Sequence, residues 1–297
     1  MQNGFYLLAA LSAILMGTIG IIARFGELDA AMLTFYRLGL GALILMLFLL
    51  FRRETARLWV KPHWGTVAGG VLLATFILCF LKAIETIPMS LAIMLVYLAP
   101  AVAAIGAHFL FSERLGAAAF SLILLAFFGF AMLQEFKLDM AGAEAIGMSY
   151  ALGCLLAYTA FILINKKIPP ASDPYAKTWV QLAVGALVTL PMVWGDPLPN
   201  ASEWFWLMIA AVFPGFLAIL FAVKAITALP AKMFGTLAYL EPLMVVLTGY
   251  LLFNEPMSAL KWGGCALILL SGIAQVQLAN AANARAQAGN GSPLKVS

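Results

Sequence analysis

Lys82, Lys224, Tyr97, Tyr239 and Glu241 are polar groups set in stretches otherwise built of Leu, Ile, Val, Ala and Phe. A lysine can attract a carboxylate, a tyrosine hydroxyl can donate to or accept from a polar solute, and a carboxylate can hold an ammonium or exchange a proton. Spacing adds to type: Lys82 and Lys224 stand 142 residues apart, as do Tyr97 and Tyr239. Each tyrosine precedes a proline by three residues, Pro100 and Pro242. Proline inside a helix removes a donor and frees carbonyls one turn back, and irregular backbone at membrane depth is tolerated where it lines a cavity or is held by protein. Hydroxyls and loosened carbonyls could thus bind a polar solute; alternatively the rings pack and the prolines only kink. The lysines could equally snorkel to an interface. Glu241 could pair with Lys232 or Lys224, and Arg37 with Asp29 or Glu27, instead of meeting a ligand. Tyr158, with Phe76, Phe80, Trp179 and Phe221, could stack on an aromatic solute or serve packing alone.

The elements that hold these groups follow from composition. Of 297 residues, 64% are hydrophobic and 10% charged, with a mean hydropathy of +1.01. Soluble domains run near 45–50% apolar and about 25% charged, so a cytosolic enzyme, a nucleic-acid binder and a disordered chain are excluded. The partners this implies are a lipid bilayer and a small-molecule substrate, with no nucleic acid. A Gly65-x-x-x-Gly69 pattern permits close helix packing but does not by itself predict a dimer, so a monomer suffices. Cys79, Cys154 and Cys265 all fall in apolar runs and read as small core residues, not disulfides. The chain lacks G-x-x-x-x-G-K-[ST], H-E-x-x-H and G-x-S-x-G and has two histidines, His63 and His108. An ATP-driven pump, a metalloprotease and a serine hydrolase are therefore unsupported, and neither cofactor nor metal is expected.

Apolar runs near 5–23, 30–50, 65–87, 90–111, 115–133, 144–165, 175–194, 203–228, 233–253 and 257–279 predict ten transmembrane helices. The first carries no basic leader or small-residue cleavage signal and reads as retained. Trp59, Trp64, Trp204, Trp206 and Trp262 fall at predicted span ends, as an interfacial belt would. With ten spans both termini share a side, and twelve Lys and Arg fall there (Arg114, Arg285 and Lys295 among them) against four on the other, Arg24, Lys82, Lys137 and Lys261. By the positive-inside rule both termini are cytoplasmic. Residues 280–297 are polar and read as a disordered tail.

Residues 82–113 and 224–255 align without a gap, and eleven of 32 positions are identical, including Lys82/Lys224, Pro88/Pro230, Tyr97/Tyr239, Pro100/Pro242 and Glu113/Glu255. The chain therefore divides into units of five spans, 1–139 and 140–279. Five is odd, so the second unit enters the membrane inverted, the plan of many secondary transporters. Glu113 and Glu255 read as hairpin-setting acids, with Ser112 and Asn254 capping the helix that follows. Glu241 and Arg37 break the symmetry, their counterparts being Ala99 and Trp179. His108, matched by Tyr250, reads as structural.

The motifs Lys-Ala-Ile, Tyr-Leu-Ala-Pro and Ser-Glu-Arg in the first unit, and Lys-Ala-Ile, Tyr-Leu-Glu-Pro and Asn-Glu-Pro in the second, resemble the EamA repeat of the drug/metabolite transporter superfamily. The resemblance spans about residues 5–279 and is specific for the superfamily. Within it the chain is similar to bacterial ten-span amino-acid exporters, including the aromatic amino-acid type. It implies an all-α integral membrane protein of two five-helix inverted repeats in the cytoplasmic (inner) membrane. The implied function is export of amino acids or related metabolites by alternating access, without enzymatic chemistry. A sugar-phosphate or nucleotide-sugar exchanger of the same superfamily is the alternative within transport; a membrane structural or lipid-handling protein is the alternative outside it.

Overall fold

Each apolar run of the sequence is helical, and the computed structural model describes residues 2–59, 61–84, 86–87, 89–113, 115–136, 145–169, 171–254 and 256–290. Glu85, Pro88, Arg114, Lys137, Asp139, Glu144, Pro170, Glu255 and Lys295, and the side chains of Trp59 and Arg285, lie outside the described residues.

The first span joins α1 (Gln2–Gly17) to α2 (Ile19–Gly26), and α3 (Ala30–Phe51) and α4 (Trp64–Ile84) follow. The fourth joins α5 (Met89–Val96) to α6 (Ala99–Phe111), and α7 (Ala117–Leu133) closes the first half. The second half holds α8 (Ala145–Lys167), α9 (Pro174–Thr189), then α10 (Ala201–Ala210) joined to α11 (Ala218–Ala228) through a π-helical turn, Ala211–Leu217. It ends with α12 (Ala231–Ala238) joined to α13 (Leu240–Phe253), and with α14 (Ala259–Asn290). Among the described residues seven apolar helices have full membrane-crossing length, and α6 and α7 are shorter apolar ones. The last helix runs on to Asn290, past the apolar run, through an Ala-rich stretch whose residues favour helix.

Local chemistry sets the ends. Asp29 caps α3 by accepting from the amides of Ala31 (2.8 Å) and Met32 (3.2 Å). Asp173 caps α9, with Pro174 in its first turn, and Asn200 with Glu203 forms a capping box on α10. Ser112 and Asn254 do not cap the helices that follow. Both take left-handed backbone, φ 53° and 51°, and terminate α6 and α13 at matched repeat positions. A short polar residue tolerates that conformation.

The principal helix contacts join one half to the other. They pair α4 with α8 and α9, α1 with α11 and α13, α3 with α9 and the π turn, α6 with α12, and α7 with α14. The core thus lies between the repeats. Helices α4 and α8 run antiparallel: Gly65 faces Ile168 at one end, and Thr86 faces Gly147 at the other. Gly129 and Gly264 bring α7 and α14 so close that a Cβ on either would stand 2.5–2.9 Å from the other's carbonyl oxygen. Outward, Phe51, Phe109 and Leu251 are 69–88% exposed, as a surface solvated by acyl chains requires.

Among the described residues, four irregularities interrupt the spans. Two are repeat-related: α5 gives way to α6 at Tyr97–Leu98, and α12 to α13 at Tyr239. Two are not, the break at Thr18 and the π turn around Pro214, since α8 and α4 run regular at the matching positions. The unmatched pair lies together, because α1 touches both α13 and the π turn, and α3 packs on that turn.

Candidate functional site

Both prolines sit at the start of a helix segment, Pro100 in α6 and Pro242 in α13, and each break falls on the tyrosine upstream. Missing donors at such breaks leave carbonyls to be satisfied elsewhere. Tyr97 meets this across the repeat: its carbonyl accepts the Tyr239 hydroxyl at 2.6 Å. The two rings lie 6.0 Å apart, and Phe130 sits 4.8 Å from Tyr97. Tyr239 is fully buried and acts as a tie between halves.

The Tyr97 hydroxyl, by contrast, faces the Glu241 carboxyl. Tyr158 on α8 lies within electrostatic range of Glu241 and Tyr239, and its ring stacks on Phe76 of α4 at 5.0 Å. Arg37 of α3 bears on the same carboxylate. Glu241 and Tyr158 are half-buried among helices from both halves. One carboxylate, one guanidinium, two phenols and an aromatic face therefore converge near the middle of the bundle. Such a set can hold a small polar solute by charge-assisted hydrogen bonds while its apolar part meets the rings.

The lysines lie elsewhere. Lys224 donates to the Tyr175 hydroxyl at 3.2 Å and stands 4.3 Å from that ring. Tyr175 stacks on Phe48, eleven residues along α3 from Arg37, or about 16 Å of helix. Lys82 is exposed in the last turn of α4, six residues beyond Phe76 and near the Thr86–Gly147 contact. The two lysines thus stand away from Tyr97 and Glu241. Their matched repeat positions fall at opposite ends of the bundle. Nor does Asp29 pair with Arg37, since its carboxylate caps α3.

Glu113 is not a hairpin acid alone. Its Oε1 pairs with Lys166 at 2.6 Å and its Oε2 accepts the Ala231 amide at 2.8 Å, while Lys166 also donates to the Leu229 carbonyl at 2.7 Å. It therefore caps α12, 118 residues away, and ties the ends of α6 and α8 to the link between α11 and α12. The signal available was that Pro230 offers no side chain to cap α12. His108 bonds the Glu113 carbonyl at 2.8 Å, a structural role. All three cysteines are free, and no metal-holding group of His, Cys, Asp or Glu occurs among the described residues.

Comparison with known proteins accounts for the doubled architecture. The EamA-like transporter family matches twice, over residues 4–134 and 145–274. This chain belongs to the EamA-like transporter family. The two EamA matches begin at an interval that agrees with the 142-residue offset to within one residue. Threonine/homoserine exporter RhtA of Salmonella typhimurium is 27% identical over 271 residues, covering 89% of this chain and 88% of that protein. RhtA of Escherichia coli K12 is 26% identical, with 86% and 84% covered. The pseudopaline exporter CntI of Pseudomonas aeruginosa is 24% identical, with 90% and 94% covered. A crystal structure of another protein superposes with a TM-score of 0.80 at 20% identity, over 93% of this EamA chain and 99% of the other, which shows a shared fold.

Proposed function

We propose that this EamA-family chain exports amino acids or related small metabolites across the bacterial inner membrane by alternating access, with both termini cytoplasmic. The observation that carries the reading is Glu241, a carboxylate facing the Tyr97 hydroxyl at the break between the two repeats. Ionisable groups within spans are costly, and their default explanation is a substrate or ion pathway. Tyr97, Tyr158 and Glu241 would contact the solute, Tyr239 would hold the break, and Lys82 and Lys224 would serve the two mouths. The exporters among its relatives, RhtA and CntI, support the direction of transport. With no nucleotide-binding motif, the substrate gradient or a coupled ion supplies the free energy, and no covalent chemistry is required.

A sugar-phosphate or nucleotide-sugar exchanger fits less well. A phosphate dianion calls for clustered cations, whereas Lys82 and Lys224 stand at opposite ends of the bundle. Counterflow of labelled solutes in proteoliposomes tests the choice. Uptake is expected for one or more of a panel of amino acids and for no sugar phosphate. Movement of sugar phosphates without any amino acid would overturn the proposal.

A further inference from the structure

Arg37 is a charged side chain only 8% exposed, inside an apolar span, and its Nε atom has no hydrogen-bond partner. No ion pair within 4.0 Å involves it among the described residues, although Glu241 bears on it electrostatically. The guanidinium nitrogens and the Glu241 carboxylate oxygens therefore stand more than 4.0 Å apart, a gap wider than direct contact. Its backbone is closely packed: a Cβ on Gly215 would stand 2.6 Å from the Arg37 carbonyl oxygen and 3.2 Å from its Cγ, so the π turn presses on α3 here. On the other side Gly17 packs on the Glu241 carbonyl, a Cβ there falling 2.8 Å from that oxygen. The two irregularities that lack a repeat counterpart, at Thr18 and Pro214, thus flank two charges that also lack one. π-Helical turns within α-helical spans concentrate at functional sites.

We propose that Arg37 is the carboxylate receptor of the site and fixes its specificity for zwitterions, Arg37 taking the carboxylate and Glu241 the ammonium. This rests on the export reading above. A buried guanidinium with an unused donor is a strained arrangement, and a carboxylate entering the gap would satisfy it in a fork geometry that lysine cannot reproduce. The opposed ammonium completes Glu241 at the same moment. A solute lacking either charge leaves one buried group unpaired and is rejected.

The experiment is proteoliposome counterflow with threonine, its decarboxylated analogue 1-aminopropan-2-ol, and N-acetylthreonine. Arg37→Gln is expected to lower the threonine-to-aminoalcohol rate ratio by about tenfold or more, and Glu241→Gln to lower the threonine-to-N-acetylthreonine ratio similarly. Arg37→Lys is expected to keep a preference for threonine over the aminoalcohol but at a reduced threonine rate. If folded Arg37→Gln lowers threonine and the aminoalcohol alike, Arg37 is structural and the proposal falls. Should that variant not fold, Arg37→Lys decides: wild-type rate and ratio together overturn the assignment. A wild-type protein that moves no amino acid in the wider panel instead defeats the export reading.

Discussion

The hydroxyl of Tyr239 bonds the backbone carbonyl of Tyr97 at 2.6 Å, so the halves are joined through a residue and its own repeat counterpart. The Tyr97 hydroxyl does not return the bond and turns to Glu241. The two repeat-matched tyrosines have thus divided their labour. One secures the break, and the other presents its hydroxyl to the space beside it.

Tyr239→Phe keeps the ring and removes only the donor. It is expected to destabilise the protein by about 1–3 kcal/mol, because a buried carbonyl at a helix break loses its partner. Thermal unfolding in detergent measures this, and an unchanged midpoint would show that carbonyl to be satisfied some other way.

Glu241→Gln should cut amino-acid transport at least tenfold, about 1.4 kcal/mol, with membrane yield near wild type. Lys224→Met should cost less than about threefold, because its amine is engaged with Tyr175 at one end of the bundle. Rates in the reverse order would move the binding space to the Tyr175 end.

The tie between Glu113 and Lys166 is expected to show coupling of about 0.5–3 kcal/mol in a double-mutant cycle of Glu113→Gln and Lys166→Met. The shared contacts at Ala231 and Leu229 make additive effects the outcome that would deny the tie.

Gly264→Ala should lower the unfolding midpoint, overpacking costing about 1–3 kcal/mol, since its Cβ would meet the Gly129 carbonyl. Gly20→Ala, with nothing within 4 Å, is the matched control and should leave the midpoint at or above wild type. Equal losses in both would mean that α7 and α14 are not held by close approach.

The ten spans were legible because apolar run length is a one-dimensional signal, and the doubled Tyr-Leu-x-Pro marked where the helices break. What escaped was direction and partnership. Lys224 matches Lys82 in register, but its bond to Tyr175 of α9 could not be read from spacing. Glu113 looked like a local acid because its partners, Lys166 and Ala231, are supplied by the other half of the chain. Arg37 was visible as an intramembrane charge, but its setting depends on the close approach of Gly215, which no spacing rule encodes. Ser112 and Asn254 carried the residue types of an N-cap, and only backbone geometry shows that each ends a helix instead.

Arg37 belongs to the first half and Glu241 to the second, and their counterparts Trp179 and Ala99 carry no charge. A protein assembled from two copies of the first half would place two guanidiniums and no carboxylate at its centre. Two copies of the second half would do the opposite. The halves have thus become electrically complementary instead of equivalent. On the zwitterion proposal, a dipolar solute held between them would keep one polarity relative to the protein whichever side is open, and would cross the bilayer without turning around.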